Sequence, residues 1–438
     1  MHSNLNIVYC LIASLMLWSC SIKRNDVNNT SGQQDGLPLI DLAKGIKMKS
    51  QDLLLSDASS SVRIIPLETN DSCVISFIKN VFLAGEDIII HDSNLRLLRF
   101  DAQGHFLNSI GTRGQGPGEY TFVTTSFIDA SKKLIYAVTS QNGIYVYDFN
   151  GTFLKSYPDF ILDNILTQAL FSFYSSGADI FIEQHGQLLK KTEFQKGLWS
   201  LATVDSLYNF DKLFFNPAHK GFENKISSLT VSTLDVNSWS DSAPSVNIYG
   251  PDLFLKYPDV DTVYQYNKNE EVFTPLYSLN LGKYKGDDFL RQNMWYKDRD
   301  VFDNLYITSA FFADRYMYLI GNKGEYVYEF QYDRNDGALS MNKRPQKIET
   351  PSPALPRFIR MSRDFVLKND ISGGQFVVNY TDGNNWIFEA SAETIEKGYL
   401  KDLQKGEIKD SNSRDKMVEL MDSWDDDNNP ILIVAELK

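Results

Sequence analysis

Short runs of alternating apolar and polar residues, rich in aromatic and β-branched side chains, follow one another from residue 62 onward. They are Val62–Leu67, Asp87–His91, Leu95–Phe100, Leu134–Val138, Gly143–Phe149, Asp252–Lys256, Asp261–Tyr266, Tyr316–Ile320, Glu325–Phe330, Gln375–Tyr380 and Trp386–Glu389. Asp-Gly, Asn-Gly and Lys-Gly turns separate several of these runs, which is typical of antiparallel strands. Only Ala392–Leu403 and Ser413–Met421 show short helical patterns. The pattern predicts a many-stranded all-β protein.

One segment of this pattern is repeated. The sequence FDAQGHFLNS begins at Phe100, and YDFNGTFLKS begins at Tyr147, with aromatic, Asp, Gly, Phe, Leu and Ser at matching places. Looser copies begin at Tyr266 and Tyr332. A strand-rich unit of about 40 to 50 residues is the period of a β-propeller blade. A β-sandwich explains the strands but not the repeated hairpin, so we predict a propeller of four-stranded blades.

The N-terminus predicts export. Residues 7–18 form an apolar run that is too short to span a bilayer and fits the core of a signal peptide. The run ends in Leu17-Trp18-Ser19-Cys20, which resembles the lipobox of bacterial lipoproteins and implies that Cys20 carries the lipid. The alternative is an ordinary signal peptide with an accidental cysteine. Several acyl chains on one residue anchor a protein firmly.

Three segments are therefore expected. Residues 1–20 are a lipoprotein signal peptide, residues 21–60 are a flexible tether and lead-in, and residues 61–438 are the propeller. The tether begins with the basic pair Lys23-Arg24, in contrast to the acidic cluster of a surface-export signal. We expect a lipid-anchored, monomeric protein in the envelope of a Gram-negative bacterium, on the outer membrane and facing the periplasm.

Composition and charge limit the classes of binding partner that the protein can have. The 438 residues carry a formal charge of −13, and no basic run is longer than Lys23-Arg24. Binding to nucleic acid relies on Lys and Arg, so the charge argues against nucleic acid and against direct attraction to anionic membranes. The mature chain retains Cys73 besides the lipid-bearing Cys20, which excludes an intrachain disulfide.

A glycine-rich stretch, SIGTRGQGPGEY, follows the first repeat. A phosphate-binding loop needs Lys and then Ser or Thr after its last glycine, whereas Glu119 and Tyr120 stand there. A β-branched run follows instead of a helix, which also argues against a dinucleotide site. The stretch is better explained as a turn between blades, formed by Gly111, Gly114, Gly116, Pro117, Gly118 and Glu119. Glu119 accepts backbone N–H groups in that turn or faces the central channel.

These motifs resemble the six-bladed β-propeller lipoproteins of Bacteroides-type bacteria. The resemblance rests on Ile64-Ile65-Pro66-Leu67-Glu68-Thr69, on Ile110-Gly111 followed by GQGPGEY, and on the C-terminal NPILIVAELK. It is strongest over residues 62–157 and weakest over 160–300. It implies a lipid-anchored propeller found in settings of polysaccharide and nutrient use. It brings no established reaction and no catalytic residue.

Residues with catalytic or ligand-binding chemistry are few. No pair of histidines has metal-ligand spacing, and no nucleophile elbow is present. His91 and Asp92, at the end of an apolar strand, are ligand-binding candidates together with Glu119. We predict no cofactor, while Ca²⁺ and Zn²⁺ stay open. The sequence favours a binding or scaffold module for an envelope protein, glycan or peptide; the alternative is a hydrolase or lyase with a carboxylate or metal site at one end of the channel.

Overall fold

A computed structural model describes residues 23–25, 36–139, 143–157, 171–176, 179–184, 199–208, 210–220, 244–286, 304–346, 363–391, 403, 407–424 and 427–438. Over these residues the chain is mainly β-structure with a few short helices. The helix predicted over Ser413–Met421 is present as α3 (Ser411–Asp422), which Asp410 caps by accepting the N–H groups of Asn412 and Ser413. All but the last residue of the helix predicted over 392–403 lies outside the described residues.

Five short elements precede the first complete sheet. They are β1 (Lys23–Asn25), β2 (Leu39–Asp41), α1 (Leu42–Gly45), α2 (Leu55–Ala58) and β3 (Ser59–Pro66). Together with β3, the strands that follow form six four-stranded antiparallel units within the described residues, and each unit is one blade.

The first three blades follow the chain order. Blade 1 comprises β4 (Ile78–Ala84), β5 (Asp87–Asp92), β6 (Leu97–Asp101) and β7 (Phe106–Ser109). The short strands β8 (Thr112–Arg113) and β9 (Glu119–Tyr120) pair in parallel before the next blade. Blade 2 comprises β10 (Val123–Asp129), β11 (Leu134–Thr139), β12 (Gly143–Asp148) and β13 (Phe153–Tyr157). Blade 3 comprises β14 (Phe171–Ser176), β15 (Asp179–Gln184), β16 (Trp199–Val204) and β17 (Phe210–Phe215).

The last three blades continue this order. Blade 4 comprises β18 (Ser245–Tyr249), β19 (Asp252–Lys256), β20 (Thr262–Asn267) and β21 (Val272–Asn280). Blade 5 comprises β22 (Tyr306–Phe312), β23 (Tyr316–Lys323), β24 (Tyr326–Asp333) and β25 (Leu339–Pro345). A hairpin of β26 (Phe365–Lys368) and β27 (Gln375–Val378) comes next. Blade 6 comprises β28 (Tyr380–Thr381), β29 (Asn385–Ala390), β30 (Ile431–Leu437) and the N-terminal strand β3.

The ring is closed by strands from both ends of the chain. β3 is the outer strand of blade 6 and pairs antiparallel with β30, with Ile64 opposite Ile433. The first strands of neighbouring blades contact each other, including β10 with β14 and β18 with β22. They are therefore the innermost strands, and they surround a central channel. The sequence prediction of a six-bladed propeller is confirmed.

Apolar side chains fill the space between each blade and the next. Between blades 1 and 2, Ile89 lies in one buried cluster with Ile135 and Tyr147. Between blades 4 and 5, the rings of Phe254 and Phe312 stack with centroids 3.6 Å apart. Alternation along each strand places these residues on the two faces of a sheet, so that every blade is buried on both sides.

The repeated hairpin forms the same turn in blades 1 and 2. The Asp101 carboxylate accepts the N–H groups of Gln103 and His105, and Asp148 does the same for Asn150 and Thr152. The following glycines, Gly104 and Gly151, have φ of +94° and +85°. A Cβ at Gly104 would lie 2.1 Å from the Pro66 carbonyl oxygen, and one at Gly151 would lie 2.7 Å from that of Ser109. The repeat therefore encodes both the turn and the close approach to the preceding blade.

Residues 39–58, which the sequence placed in the tether and lead-in, pack along the outside of the ring; we call them the N-terminal belt. β2 adds a parallel strand to β21 of blade 4. Gly45 packs against Phe330 and Leu339 of blade 5, and Gln51 N–H donates to the Met341 carbonyl. The propeller unit therefore begins before residue 61, because buried residues such as Ile40 fix the belt to the blades. Further toward the N-terminus, the backbone of β1 pairs in parallel with β17 of blade 3.

Candidate functional site

The central channel contains a cavity of about 1180 Å³. Residues from the first strands of blades 1, 2, 3, 4 and 6 line it, among them Lys79, Thr125, Ser172, Val246 and Tyr380. It extends toward the end of the ring where the first and second strands of each blade are joined, since the turn residues Asp129–Lys132 and Asp382 also line it. The lining mixes apolar, aromatic and polar groups, as in small-molecule and peptide sites.

An aromatic wall borders this cavity between blades 2 and 3. Phe127 stacks on Tyr136 with centroids 4.5 Å apart and on Phe173 at 4.8 Å. Tyr208, held at φ +64°, lies 5.8 Å from Tyr136 and 4.6 Å from Tyr157. Burial and a hydrogen bond with Tyr136 hold the pKa of Tyr208 above its ordinary value. Only Tyr157 of these five is half-buried, so it presents the accessible part of the wall.

Charged side chains surround the aromatic wall. The Lys155 ammonium lies 4.8 Å above the Tyr157 ring, and Lys79 is exposed on the innermost strand of blade 1. Asp129 is paired with Lys132 at 2.6 Å; burial opposes its ionisation, but the hydrogen bonds from Lys132 and Ser131 bring its pKa below the ordinary value. This part of the cavity therefore offers lysine cations and one ion-paired carboxylate, that of Asp129, beside the wall.

Blades 3 and 6 carry matching pairs of tyrosine and glutamate. Tyr174 donates its hydroxyl hydrogen to Glu183 at 2.5 Å, and Tyr380 lies 2.7 Å from Glu389. In both blades the tyrosine is on the first strand, the glutamate is on the second strand, and nine residues separate them. Blades 3 and 6 are opposite each other in a six-bladed ring. Burial raises the pKa of Tyr174 and of Glu389, although the Tyr380 hydrogen bond opposes the shift in Glu389.

A second cavity, of about 280 Å³, adjoins the pair in blade 3. Tyr174 and Glu183 line it together with Ser245, Arg363 and Asp364. The Glu183 side chain is 1% exposed. A guanidinium, a phenol and carboxylates thus converge near the starts of the innermost strands.

His91 and Asp92 line neither of these two cavities. His91 is 2% exposed, and its imidazole contacts the Val123 carbonyl at 3.2 Å and Ser126 Oγ at 3.4 Å, both on blade 2. Burial lowers the pKa of His91 to about 4. Asp92 is fully buried and forms an ion pair with Arg96 at 2.7 Å. His91 therefore connects blade 1 to blade 2, and Asp92 stabilises the turn after β5.

The glycine-rich stretch connects the outer strand of blade 1 to the inner strand of blade 2. Glu119 accepts the Gly116 N–H at 2.8 Å, and a Cβ at Gly114 would lie 2.0 Å from Glu119 Oε2. Gly111 and Gly118 have φ of +69° and +77°. Two tyrosine hydroxyl groups fix this connection between the blades: Tyr120 donates a hydrogen bond to the Ile110 carbonyl, and Tyr147 donates one to the Gly118 carbonyl. With Pro117 at its centre, the stretch forms a compact turn, and Glu119 lines neither of the two cavities.

Several expectations fall outside these cavities. Cys20 and the signal peptide lie outside the described residues. Cys73 is buried, and its thiol lies 3.1 Å from the Glu68 carbonyl. Within the described part of the chain, no three His, Cys, Asp or Glu side chains form a group that suits a metal ion. No helix among the same residues is long and apolar enough to cross a membrane.

Neither the tyrosine–glutamate pairs nor the aromatic wall was predicted from the sequence. A signal for the pairs exists, because a tyrosine followed nine residues later by a glutamate occurs in two strand hairpins. The wall has no such signal, since its members come from separate strands and turns of two blades. Its aromatic residues are indistinguishable in sequence from those of the other blade interfaces.

The fold and the channel define a six-bladed β-propeller with two cavities along its axis. Residues 37–436 match the model of a domain of unknown function, DUF4934, and the chain belongs to this family. A solved structure from Bacteroides fragilis NCTC 9343, of a protein described as exported, has a TM-score of 0.56 and 16% identity; the match covers 91% of this chain and 99% of that one. The WD40 repeats of RRP9 match with a TM-score of 0.40 and 10% identity over 89% of this chain and 100% of that one. No functionally curated protein matches the sequence.

Proposed function

We propose that this protein is a lipid-anchored binding module of the bacterial envelope, whose ligand enters the larger cavity of the central channel. The observation that carries the proposal is the cavity itself, of about 1180 Å³, with Tyr157 and Lys155 at its aromatic wall. Cavities that combine apolar surface with a few fixed polar groups bind small molecules and peptide segments.

The ligand class follows from the lining. Thr125, Ser172 and Thr381 offer hydroxyl groups, while Lys79 and Lys155 offer cations. Hydroxyl and ammonium groups beside an aromatic ring suit a glycan or the end of a peptide, both of which combine apolar faces with many hydrogen-bonding groups. The net charge of −13 argues against nucleic acid.

The location rests on the N-terminal sequence and on a structural neighbour. The segment Leu17-Trp18-Ser19-Cys20 supports a lipid on Cys20, and the structural neighbour from Bacteroides fragilis is described as exported. We place the protein on the outer membrane, facing the periplasm.

Site-specific photocrosslinking in native envelopes tests the binding role. A photoreactive residue at Lys79, on the innermost strand of blade 1, is expected to capture a ligand or protein. The matched control carries the photoreactive amino acid in place of Leu107, which is 46% exposed on the outer strand of blade 1. Capture from position 79 alone supports a channel site, whereas equal capture from both positions, or none from position 79, would contradict it.

The smaller cavity favours a second candidate function, a hydrolase or lyase. Glu183 and Tyr174 there can act as a proton-transferring pair beside Arg363, which suits the stabilisation of a developing anion. Turnover of envelope glycans or peptides by the purified protein, lost in Glu183→Gln but not in Glu436→Gln on the exposed side of β30, would support the enzyme. If the purified protein shows no turnover and position 79 still captures a ligand, the enzyme is contradicted and the binding module is supported.

A further inference from the structure

The N-terminal belt carries a run of exposed lysines. Lys44, Lys47 and Lys49 are all exposed on the stretch that begins in α1 and passes along blade 5. Asp41, whose side chain accepts the Lys44 backbone N–H and a hydrogen bond from Asn280, is the one acid among residues 36–50. This stretch is therefore basic, in a protein whose overall charge is −13.

Lysines of blades 4 and 5 extend this charge. Lys283 follows β21 in a short turn that α1 contacts, and both Lys283 and Lys323 lie close to the Tyr284 ring centre, at 5.4 and 5.6 Å. The backbone N–H of Lys343 donates to Ser50 Oγ of the belt. We call Lys44, Lys47, Lys49, Lys283, Lys323 and Lys343 the basic rim.

Acidic residues near the basic rim are few among the described residues. Glu325 shares a turn with Lys323, while Asp261 and Asp52 are paired at 2.9 Å with Lys285 and Lys368. The rim also presents apolar side chains, because Leu39 is 48% and Met48 is 40% exposed. Lysines with interspersed apolar side chains are the composition of surfaces that bind anionic lipid headgroups.

The position of the N-terminus indicates which surface the rim meets. The proposed lipid on Cys20 lies three residues before Lys23, the first residue of β1, and β1 pairs with β17, the outer strand of blade 3. Three residues of chain span at most about 10–11 Å. The anchor is therefore held at the outer side of blade 3, next to blade 4, where β2 and the start of the belt lie.

We propose that the basic rim lies against the anionic phospholipid headgroups of the membrane that holds the anchor, so that the propeller rests on its side. This inference depends on the lipid anchor of the proposed function. Both ends of the channel then open parallel to the membrane and stay accessible. The attraction acts within a Debye length of the surface and is screened by salt.

The orientation can be tested on the lipidated full-length protein reconstituted in vesicles. Cys73 is buried, so a fluorophore can be attached selectively to Met48→Cys. The matched control is Leu154→Cys on the outer strand of blade 2, which is 50% exposed and lies across the ring from blade 5. The vesicles carry a quencher on their lipid headgroups. Quenching of the fluorophore is then measured in anionic vesicles of phosphatidylethanolamine and phosphatidylglycerol, and compared with quenching in vesicles of phosphatidylcholine.

The expected result is stronger quenching at position 48 than at position 154, in anionic vesicles only, and its loss at high salt. In Lys44→Gln/Lys47→Gln/Lys49→Gln the difference should fall, because each lysine near an anionic surface changes the ratio of docked to undocked protein about fivefold. Equal quenching at both positions on vesicle-bound protein would overturn the proposed orientation. Protein that does not bind vesicles at all would instead contradict the lipid anchor.

Discussion

Ser56 of the N-terminal belt donates its hydroxyl hydrogen to the Asp370 carboxylate at 2.6 Å, and its backbone N–H donates to the same group at 3.0 Å. The two residues are 314 positions apart. Lys409 completes the contact with an ion pair of 3.0 Å to Asp370. This junction fixes the belt to the turn of the β26–β27 hairpin, next to the strand β3 that closes the ring.

We expect Asp370→Asn to lower the free energy of unfolding by about 1–3 kcal/mol, because the change weakens two buried hydrogen bonds and removes an ion pair. Denaturant unfolding of the mature chain measures this. The matched control is Asp52→Asn, whose ion pair with Lys368 is exposed on both sides and contributes about 0–1 kcal/mol. Equal losses in the two variants would show that the junction does not fix the belt.

Burial opposes the ionisation of Asp370, but the hydrogen bonds from Ser56 and Lys409 hold its pKa below the ordinary value. A carboxyl group with a lowered pKa stabilises the fold above its unfolded pKa, and this contribution is lost as the pH falls through the folded pKa. Denaturation midpoints measured from pH 6 down to about pH 3 should therefore fall more steeply for the wild type than for Asp370→Asn. Parallel curves for the wild type and the variant would contradict a lowered pKa of Asp370.

Burial of His91 should make the stability of the fold depend on pH. Burial lowers its pKa from 6.5 to about 4, so unfolding takes up a proton below pH 6.5 and stability is lost as the pH falls toward 4. His91→Gln should flatten this part of the stability curve, because glutamine does not ionise. NMR titration of the His91 imidazole measures the pKa directly, and a value near 6.5 would contradict its buried role.

The repeat in the sequence was sufficient to predict the propeller, because its Asp and Gly residues form the same turn in blades 1 and 2. The belt was not predictable in this way. Its buried residues form two separate pairs: Ile40 and Leu42 join the apolar cluster between blades 4 and 5, and Leu53 and Leu55 join the cluster between blades 5 and 6. Each pair is too short to show the period of a helix or a strand. The basic rim was also not predicted, because the net charge of the chain is −13 and the rim combines the lysines of residues 44–49 with Lys283, Lys323 and Lys343 from distant parts of the sequence.

The glycine of the repeated turn provides a further test. Gly151 has φ +85° and lies against Ser109, while Gly337, in the corresponding turn of blade 5, has φ +75° and more space: a Cβ there would meet only the Tyr332 hydroxyl, at 3.7 Å. In both Ala variants the left-handed backbone costs about 1–2 kcal/mol. Gly151→Ala should lose at least about 1 kcal/mol more, because the added methyl group pushes blade 2 away from blade 1. Similar losses in thermal or denaturant unfolding would show that this inter-blade contact is not tight.

Glu389 provides the last test, at the pair in blade 6. Burial raises its pKa above 4.5, against the opposing hydrogen bonds of Tyr380 and Ile78. A carboxyl group with a raised pKa contributes stability below its unfolded pKa, and this contribution is lost as the pH rises through the folded pKa. Glu389→Gln keeps an acceptor for the Tyr380 hydroxyl but does not ionise, so its stability relative to the wild type should increase from pH 4.5 to neutrality. If the Glu389 variant instead weakens steadily with rising pH, the carboxylate is stabilised in the folded ring and its pKa is not raised.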